Sequence, residues 1–520
     1  MKRVAAAATL LISIYNRRSA ASVLDQPPET VSQVLKTPFL GQHVGLASYD
    51  INNDGAPDIL FAAGRHWVDQ SYALINLGPM YNSDGEFLGV KFSPALPIGP
   101  AGGYYQIDVA PSFQKTSASS SSFNVTQSMV LLVGGTCHDD APTQYGSCSI
   151  GENTPARLLQ VSVSGCNIQN PNVDCNLEWT QIWQDPHPRG DRNGGFAYFQ
   201  DDFHPSIALL GQGGIEIFQY SYQQQKFKSS LVDMNNDKEF RIPAPKKTDS
   251  RSDFSRYAGF ASSKSLLGGV IAAGRRSDYD PPQIDSEGRV KSLNLLVYKD
   301  QQSNSTSSSF QTYFLPSNVS GEPYSGDPSI SIQSTNYQFD DIDGDGVEDL
   351  LEATFLYSSQ RVPDYPLPQR IHFLNDRGHV KNTLVVHESE KGDAGRSVTT
   401  GQIFSDSDLP DVVFASAKGV VTVFANLGVN ETSGTFLGLE QRYQFSAENS
   451  HCQVRDVAIA PIVKKEECWI GLFAAVACPF EKPKPKYLGE NEIFYIKGGS
   501  CIDDEKNPLS VLTRSSTQVD

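Results

Sequence analysis

The chain has 520 residues, a formal net charge of -17 at pH 7 and a pI near 5.0. So acidic a protein is excluded from an electrostatic grip on nucleic acid or anionic lipid, and is suited to cations and to extracellular solubility. The length admits several small domains or one large repeat architecture, so the pattern along the chain has to decide.

The N-terminus reads MKRVAAAATLLISIYNRRSAAS. Lys2 and Arg3 give a basic start, Val4 to Tyr15 an apolar core too short to span a bilayer, and Ser19 and Ala21 small residues for cleavage before Ser22. This predicts a secretory signal peptide over residues 1–21. Arg17 and Arg18, with no acidic residue before Asp25, leave a mitochondrial transit peptide as the alternative. No later apolar run reaches the length of a membrane span.

From there one phrase recurs: a short alternating run, a polar or acidic turn, an apolar run, a loop and a second apolar run. The first copy, GLASYDINNDGAPDILFAAG, closes at Gly78, and the second, opening GYYQIDVAPS, closes at Gly165. The third begins at Gly194, the fourth runs from Arg256 to Asp300, and the fifth contains DIDGDGVEDLLEATF and ends at Asp376. The sixth ends at Gly428, and the seventh runs from CQVRDVAIAPI to Gly499. Seven β-rich repeats bounded by Gly, Pro, Asn and Asp, with no long helical periodicity, predict an all-β, seven-bladed β-propeller over roughly 35–500 and a polar tail over 501–520. A pair of β-sandwich domains is the competing architecture, but no Pro- or Gly-rich linker divides the chain.

The eight cysteines fall into two groups, Cys137, Cys148, Cys166 and Cys175, then Cys452, Cys468, Cys478 and Cys501. Without tight C-x-x-C pairs the grouping predicts local disulfides rather than zinc: Cys137 with Cys148 and Cys166 with Cys175 in the second repeat, the last four locking the seventh. Sequons begin at Asn124, Asn304, Asn318 and Asn430, in polar stretches expected to be loops, where a glycan would be tolerated.

Two repeats carry a chemical signature. In DIDGDGVED, Asp341, Asp343 and Asp345 hold positions one, three and five, Gly346 allows the sharp bend, the carbonyl of Val347 is at seven and Asp349 at nine. In DINNDGAPD the same places fall to Asp50, Asn52, Asp54, the carbonyl of Ala56 and Asp58. This is the oxygen spacing of a tight loop around a hard cation, and calcium fits best. Asn52 supplies oxygen without charge, so the first loop is expected to bind the more weakly. Both resemble the cation-binding hairpins of FG-GAP and VCBS repeats, which build the propeller of integrin alpha chains. That resemblance covers the two motifs specifically and the other repeats only through their strand pattern. It implies a loop between the first and second strands of a blade, on one rim, with ligand roles for the ten residues named.

Closed spacing of this kind suits a structural ion rather than a catalytic one. The opposite rim is then the expected ligand surface, with Arg65, His66 and Trp67 in blade one and Arg275 and Arg276 in blade four, from the shared AAGR. Guanidinium groups beside aromatic faces suit sugars, carboxylates or an acidic partner loop. Arg189, Gly190 and Asp191 spell RGD, a tripeptide read as coincidence. Two functions remain: a secreted or cell-surface recognition or adhesion module for a glycan or protein, monomeric and free of nucleic acid, and a sugar- or polysaccharide-active enzyme in the central funnel of the same fold.

Overall fold

The computed structural model describes residues 30–497 apart from 41–44, 65–67, 116–122, 138–142, 187, 189–192, 200–204, 212–213, 222–225, 233–255, 264, 277–293, 300–309, 315–329, 359–367, 389–394, 405–406, 447–452, 464–468 and 480–486. Seven four-stranded antiparallel sheets account for nearly all of its regular structure, and they form the seven blades of a β-propeller.

The first strand, β1 (Thr30–Leu40), does not belong to the first blade. Blade one is β2 (Leu46–Tyr49), β3 (Asp58–Phe61) and β4 (Asp69–Leu74), then a hairpin of β5 (Asn76–Tyr81) and β6 (Phe87–Phe92), and finally β7 (Leu96–Gly102) as its fourth strand. Blade two holds β8 (Tyr104–Lys115), β9 (Phe123–Gly134), β10 (Arg157–Ser164) and β11 (Asn176–Gln184). Blade three holds β12 (Asn193–Ala197), β13 (Ser206–Gly211), β14 (Gly214–Ser221) and β15 (Lys226–Val232). Blade four holds β16 (Arg256–Ser263), β17 (Val270–Arg276), β18 (Asn294–Lys299) and β19 (Phe310–Phe314). Blade five holds β20 (Ile330–Asp340), β21 (Asp349–Ser358), β22 (Pro368–Leu374) and β23 (Val380–Glu388). Blade six holds β24 (Gly395–Gly401), β25 (Asp411–Ser416), β26 (Val420–Asn426) and β27 (Leu439–Ser446). Blade seven takes β28 (Gln453–Val463), β29 (Trp469–Pro479) and β30 (Tyr487–Lys497), and its outer strand is β1, paired antiparallel with β30 from Thr30 opposite Ile496 onward.

The ring is shut by a strand from the far end of the chain, which begins ahead of the expected boundary at residue 35. Of the cysteines expected to lock blade seven, Cys452, Cys468 and Cys501 lie outside the described residues and Cys478 is in β29. The two pairs expected in blade two are present as Cys137–Cys148 and Cys166–Cys175.

Hydrophobic side chains gather into seven clusters, one at each seam between neighbouring blades. The alternation of strand side chains explains this: in β25, Val413 and Ala415 face blade seven's cluster while Val412 and Phe414 face blade five's. A central strand buried on both faces reads as an uninterrupted apolar run, which is why the middle strands carry the repeat signal. Outer strands such as β27 (LEQRYQFS) are half wet and lose it. Among the described residues no helix is long and apolar enough to cross a membrane.

Candidate functional site

The two acidic loops join first to second strand in blades one and five, on one rim. They adopt the same backbone path. Position four is left-handed in both, as Asn53 (φ 55°) and Gly344 (φ 75°), and position six is glycine with positive φ, Gly55 (88°) and Gly346 (82°), because a Cβ there would be strained. The first carboxylate of each loop accepts from the bend: Asp50 Oδ2 from Gly55 N at 2.8 Å and Asp341 Oδ2 from Gly346 N at 2.9 Å. Likewise Asp54 Oδ1 accepts from Ala56 N and Asp345 Oδ1 from Val347 N, both at 2.9 Å.

In blade five the loop brings oxygens of Asp341, Asp343 and Asp345 within 4.8 Å of one another. Burial, and then Asp345, push the Asp343 carboxyl above its ordinary value. Lys381, at the start of β23, donates to Asp345 Oδ2, and its Nζ lies 4.0 Å from Asp343 Oδ2. Burial weakens the Lys381 ammonium, but the neighbouring aspartates outweigh it and hold its pKa above the usual lysine value. In blade one Asn52 Nδ2 donates to Asp54 Oδ2 at 3.0 Å, and burial, opposed by its hydrogen bonds, raises Asp50. An all-oxygen donor set with converging carboxylates suits a hard cation such as calcium.

The ninth-position aspartates do something further. Asp58 and Asp349 are completely buried, and each uses both oxygens on backbone N–H groups. Asp58 accepts from Ile51 N (3.0 Å) and Asn76 N (2.8 Å), Asp349 from Ile342 N (3.2 Å) and Leu374 N (3.0 Å). Each ties the loop base to the end of the third strand. Burial pushes the Asp349 carboxyl up to about 8, with the Leu374 N–H pulling it back, and carries Asp58 well up also. Blade six repeats the device, Asp411 accepting from Ile403 N (2.7 Å) and Asn426 N (2.8 Å), although its DSDLPD segment is too short for the full cation spacing. The readable signal was an Asp opening the apolar second strand, as in PDIL, EDLL and PDVV.

Neighbouring blades cover both loops. Ile168 N, in the loop tied by Cys166–Cys175 of blade two, donates to Asp54 Oδ2 at 2.9 Å, and Asn426 Nδ2 of blade six donates to Ile342 O at 2.9 Å. On the opposite rim the loop tied by Cys137–Cys148 leans on blade one, where Tyr145 and Tyr72 hydroxyls meet at 2.5 Å and Thr143 donates to Val68 O.

The first strands of the blades line a central channel of about 380 Å³. Its described lining carries Asp108, Asp340, Asp408 and Asp456 with Tyr49 and Tyr337, and no Lys, Arg or His. Three of these carboxylates are struts between blades, Asp340 Oδ2 of blade five accepting from Thr400 Oγ1 of blade six at 2.8 Å. Asp456 Oδ2 accepts from Leu46 N of blade one (3.0 Å) and its Oδ1 from Ser397 Oγ of blade six (2.7 Å), while Asp108 Oδ2 accepts from Phe196 N of blade three (2.7 Å). Burial pushes Asp456 and Asp108 up to about 6. A shared D-V-A in β8 and β28 was their sequence trace.

Of the expected ligand residues, Arg65, His66 and Trp67 lie outside the described residues, as does the RGD of 189–191. Arg275 and Arg276 end β17, with backbones opposite Tyr257 and Arg256, and their side chains are not described. Asn124 lies in β9 rather than in a loop, Asn430 in an exposed turn, and Asn304 and Asn318 outside the described residues. Sequence reasoning missed the outer wall of blade two. There β11 exposes Trp179 (39 %) and Ile182 (47 %), whereas Trp183 packs on Phe218 and Trp469 stacks on Phe87. Arg157 Nη1 fixes the amide oxygens of Gln181 and Gln184 beside it.

No protein family matches the chain and no curated protein matches it. Among solved structures it is similar to BBS1N in complex with ARL6DN (10% identity, 66% of this chain and 87% of that one, TM-score 0.26). It is also similar to Citrobacter koseri AztD (9% identity, 89% and 98%, TM-score 0.31) and to extracellular domains 1-2 of Drosophila Semaphorin 1b (10%, 89% and 87%, TM-score 0.25).

Proposed function

We propose that this protein is a secreted or cell-surface propeller of the FG-GAP and VCBS kind, stabilised by calcium at its two acidic loops and serving as a recognition or adhesion module for a glycan or a protein. The observation that carries recognition is the division of labour among its side chains. Channel carboxylates hold blades together, while β11, on the outer wall, presents Trp179 to solvent on the same strand as Gln181 and Gln184, whose amides Arg157 holds. An exposed indole on a strand that also carries ordered amides suits a sugar face or a peptide, at little cost in conformational entropy. Two disulfides in blade two fit an oxidising compartment.

In the calcium reading Asp341, Asp343 and Asp345, with Asp349 beneath them, hold one ion, and Asp50, Asn52 and Asp54, with Asp58 beneath, hold the other. Each ion would tie its hairpin and so stabilise the folded form alone. The enzyme reading is favoured by one observation, that Asp108 and Asp456 face the channel with pKa values pushed to about 6, inside the range useful for proton transfer. Against it, the oxygens of both already serve backbone N–H groups.

A glycan array run in calcium on wild type, Trp179→Ala and the double change of Arg65 and Arg275 to Ala tests the proposal. Binding lost in either variant places the ligand on that surface. Absence of binding to any glycan or extracellular protein, or turnover of a bound oligosaccharide, overturns recognition.

A further inference from the structure

The acidic loops differ in one respect that their sequences hide. In blade five a cation of the protein's own already stands at the loop, since Lys381 reaches from β23 to Asp345 and to within 4.0 Å of Asp343. In blade one the corresponding donors are neutral: Asp54 Oδ2 takes the backbone N–H of Ile168 and the amide of Asn52. Three carboxylates less one ammonium leave the blade-five loop, over positions one, three and five, with net charge -2. That equals the charge of Asp50 and Asp54 in blade one, so the extra aspartate confers no electrostatic advantage.

From this we infer that Lys381 is a built-in counter-ion that competes with the bound cation, so the blade-five loop is the weaker and later-filled of the two and filling it releases the Lys381 side chain. The inference rests on the calcium reading above and reverses the ranking expected from the ligand residues alone. Lys381 is well placed for the role. Its side chain is 37% exposed, so the ion pair is cheap to break and the released ammonium has water to move into. A divalent ion entering while the ammonium stays would meet a like charge at about 4 Å, so occupancy by one opposes occupancy by the other. With the loop empty, the lysine relieves the mutual repulsion of the aspartates and keeps it in a cation-ready shape.

The test is calorimetric titration of calcium chloride into the full chain, comparing wild type, Lys381→Met, Lys381→Arg and Lys381→Met combined with Asp343→Asn. Melting in chelator first establishes that each variant is folded. The expected result is two classes of site, with Lys381→Met tightening the weaker class by roughly tenfold, the sum of a lost surface ion pair and a removed like charge. Lys381→Arg should stay near wild type, and Asp343→Asn should abolish the gain. Calcium binding that is unchanged in Lys381→Met overturns the counter-ion role while leaving the calcium reading intact. Neither heat nor a melting shift on calcium addition, in wild type or variant, overturns both. A gain that survives Asp343→Asn would place the effect elsewhere and overturn the inference alone.

Discussion

Asp456 at the closure of the ring allows a quantitative test of how the blades are held. Its side chain is buried (5% exposed) and accepts from Leu46 N, Asn336 Nδ2, Ser397 Oγ and Val457 N, so it touches blades one, five and six besides its own blade seven. Burial nevertheless pushes its carboxyl from 3.8 up to about 6, since these donors do not replace the water it has lost. A carboxyl with a raised pKa in the folded state binds its proton more tightly folded than unfolded. Its contribution to stability is therefore fully present below pH 3.8 and is lost as pH rises through about 6. Two pH units at about 1.4 kcal/mol each make that loss on the order of 3 kcal/mol between pH 4 and pH 7. Asp456→Asn is neutral throughout and should show none of it. The replacement also turns an amide donor toward existing donors, at a cost of about 1–3 kcal/mol that does not vary with pH. Urea unfolding of both proteins from pH 4 to 7.5 in constant excess calcium separates slope from offset. Wild type should lose its advantage over the variant progressively toward neutrality, with half of the change above about pH 5. Parallel stability curves across that range would refute the reasoning.

Four further outcomes are expected. Excess chelator should lower the thermal midpoint, because a site with a dissociation constant of ~0.1 mM at ~1 mM calcium contributes roughly 1.4 kcal/mol; an unchanged midpoint rules calcium out as a stabiliser. Tyr495→Phe removes a buried hydroxyl that donates to Gln33 Oε1 at 2.6 Å and accepts from Val90 N, and should cost about 1–3 kcal/mol in urea unfolding. Replacing Cys166 and Cys175 together by Ala should destabilise by something under ~3 kcal/mol and weaken the calcium response of blade one, whose Asp54 is capped from that loop; peptide mapping of the wild type checks the pairing. Glu352→Ala should cost about 3–5 kcal/mol, because Glu352 is the 2.8 Å partner of buried His372 and lies 3.9 Å from buried Arg370.

The fold was legible where the chain is buried on both sides. Second and third strands such as DVVFAS and VVTVFAN are mainly apolar runs and mark most blades, although the third strands of blades one and five, DQSYAL and PQRIHFL, bury polar residues. Fourth strands were not legible, since NLEWTQIWQ or LEQRYQFS packs one face at most and reads like a polar connection. Nor could pattern foresee that residues 30–36 would pair with 490–496, because a partner so distant leaves no local trace. At the acidic loops the residue types were visible in order, but two things depended on the third dimension. Asp349 uses both oxygens on the backbone, and the lysine that neutralises its neighbours arrives from the fourth strand of the blade. Asp108 and Asp456 left a trace in their shared D-V-A, but its meaning was not legible, because an Asp in an inner strand looks like any channel-facing polar residue until the next blade's N–H is in place.

Blade one is where these features combine. Its strands β2 and β3 have only four residues each, the shortest among the described strands. It also directly follows in the ring blade seven, which β1 completes. Closure of a ring at a weak blade would leave a point of opening, and the surrounding residues oppose that from both sides. From blade seven, Asp456 holds Leu46 N, while Gln33 and Tyr495 grip Val90 of the inserted hairpin and Trp469 stacks on Phe87. From blade two, one disulfide-tied loop reaches Tyr72 and Val68 on one rim and the other reaches Asp54 on the opposite rim. A cation held by Asp50, Asn52 and Asp54 would add a clamp at the point where the blade has least of its own. The uncompensated acidic loop therefore lies where an ion would contribute most to holding the ring closed, and the lysine-neutralised one lies in blade five, whose β20 and β21 are ten or more residues long and need it less.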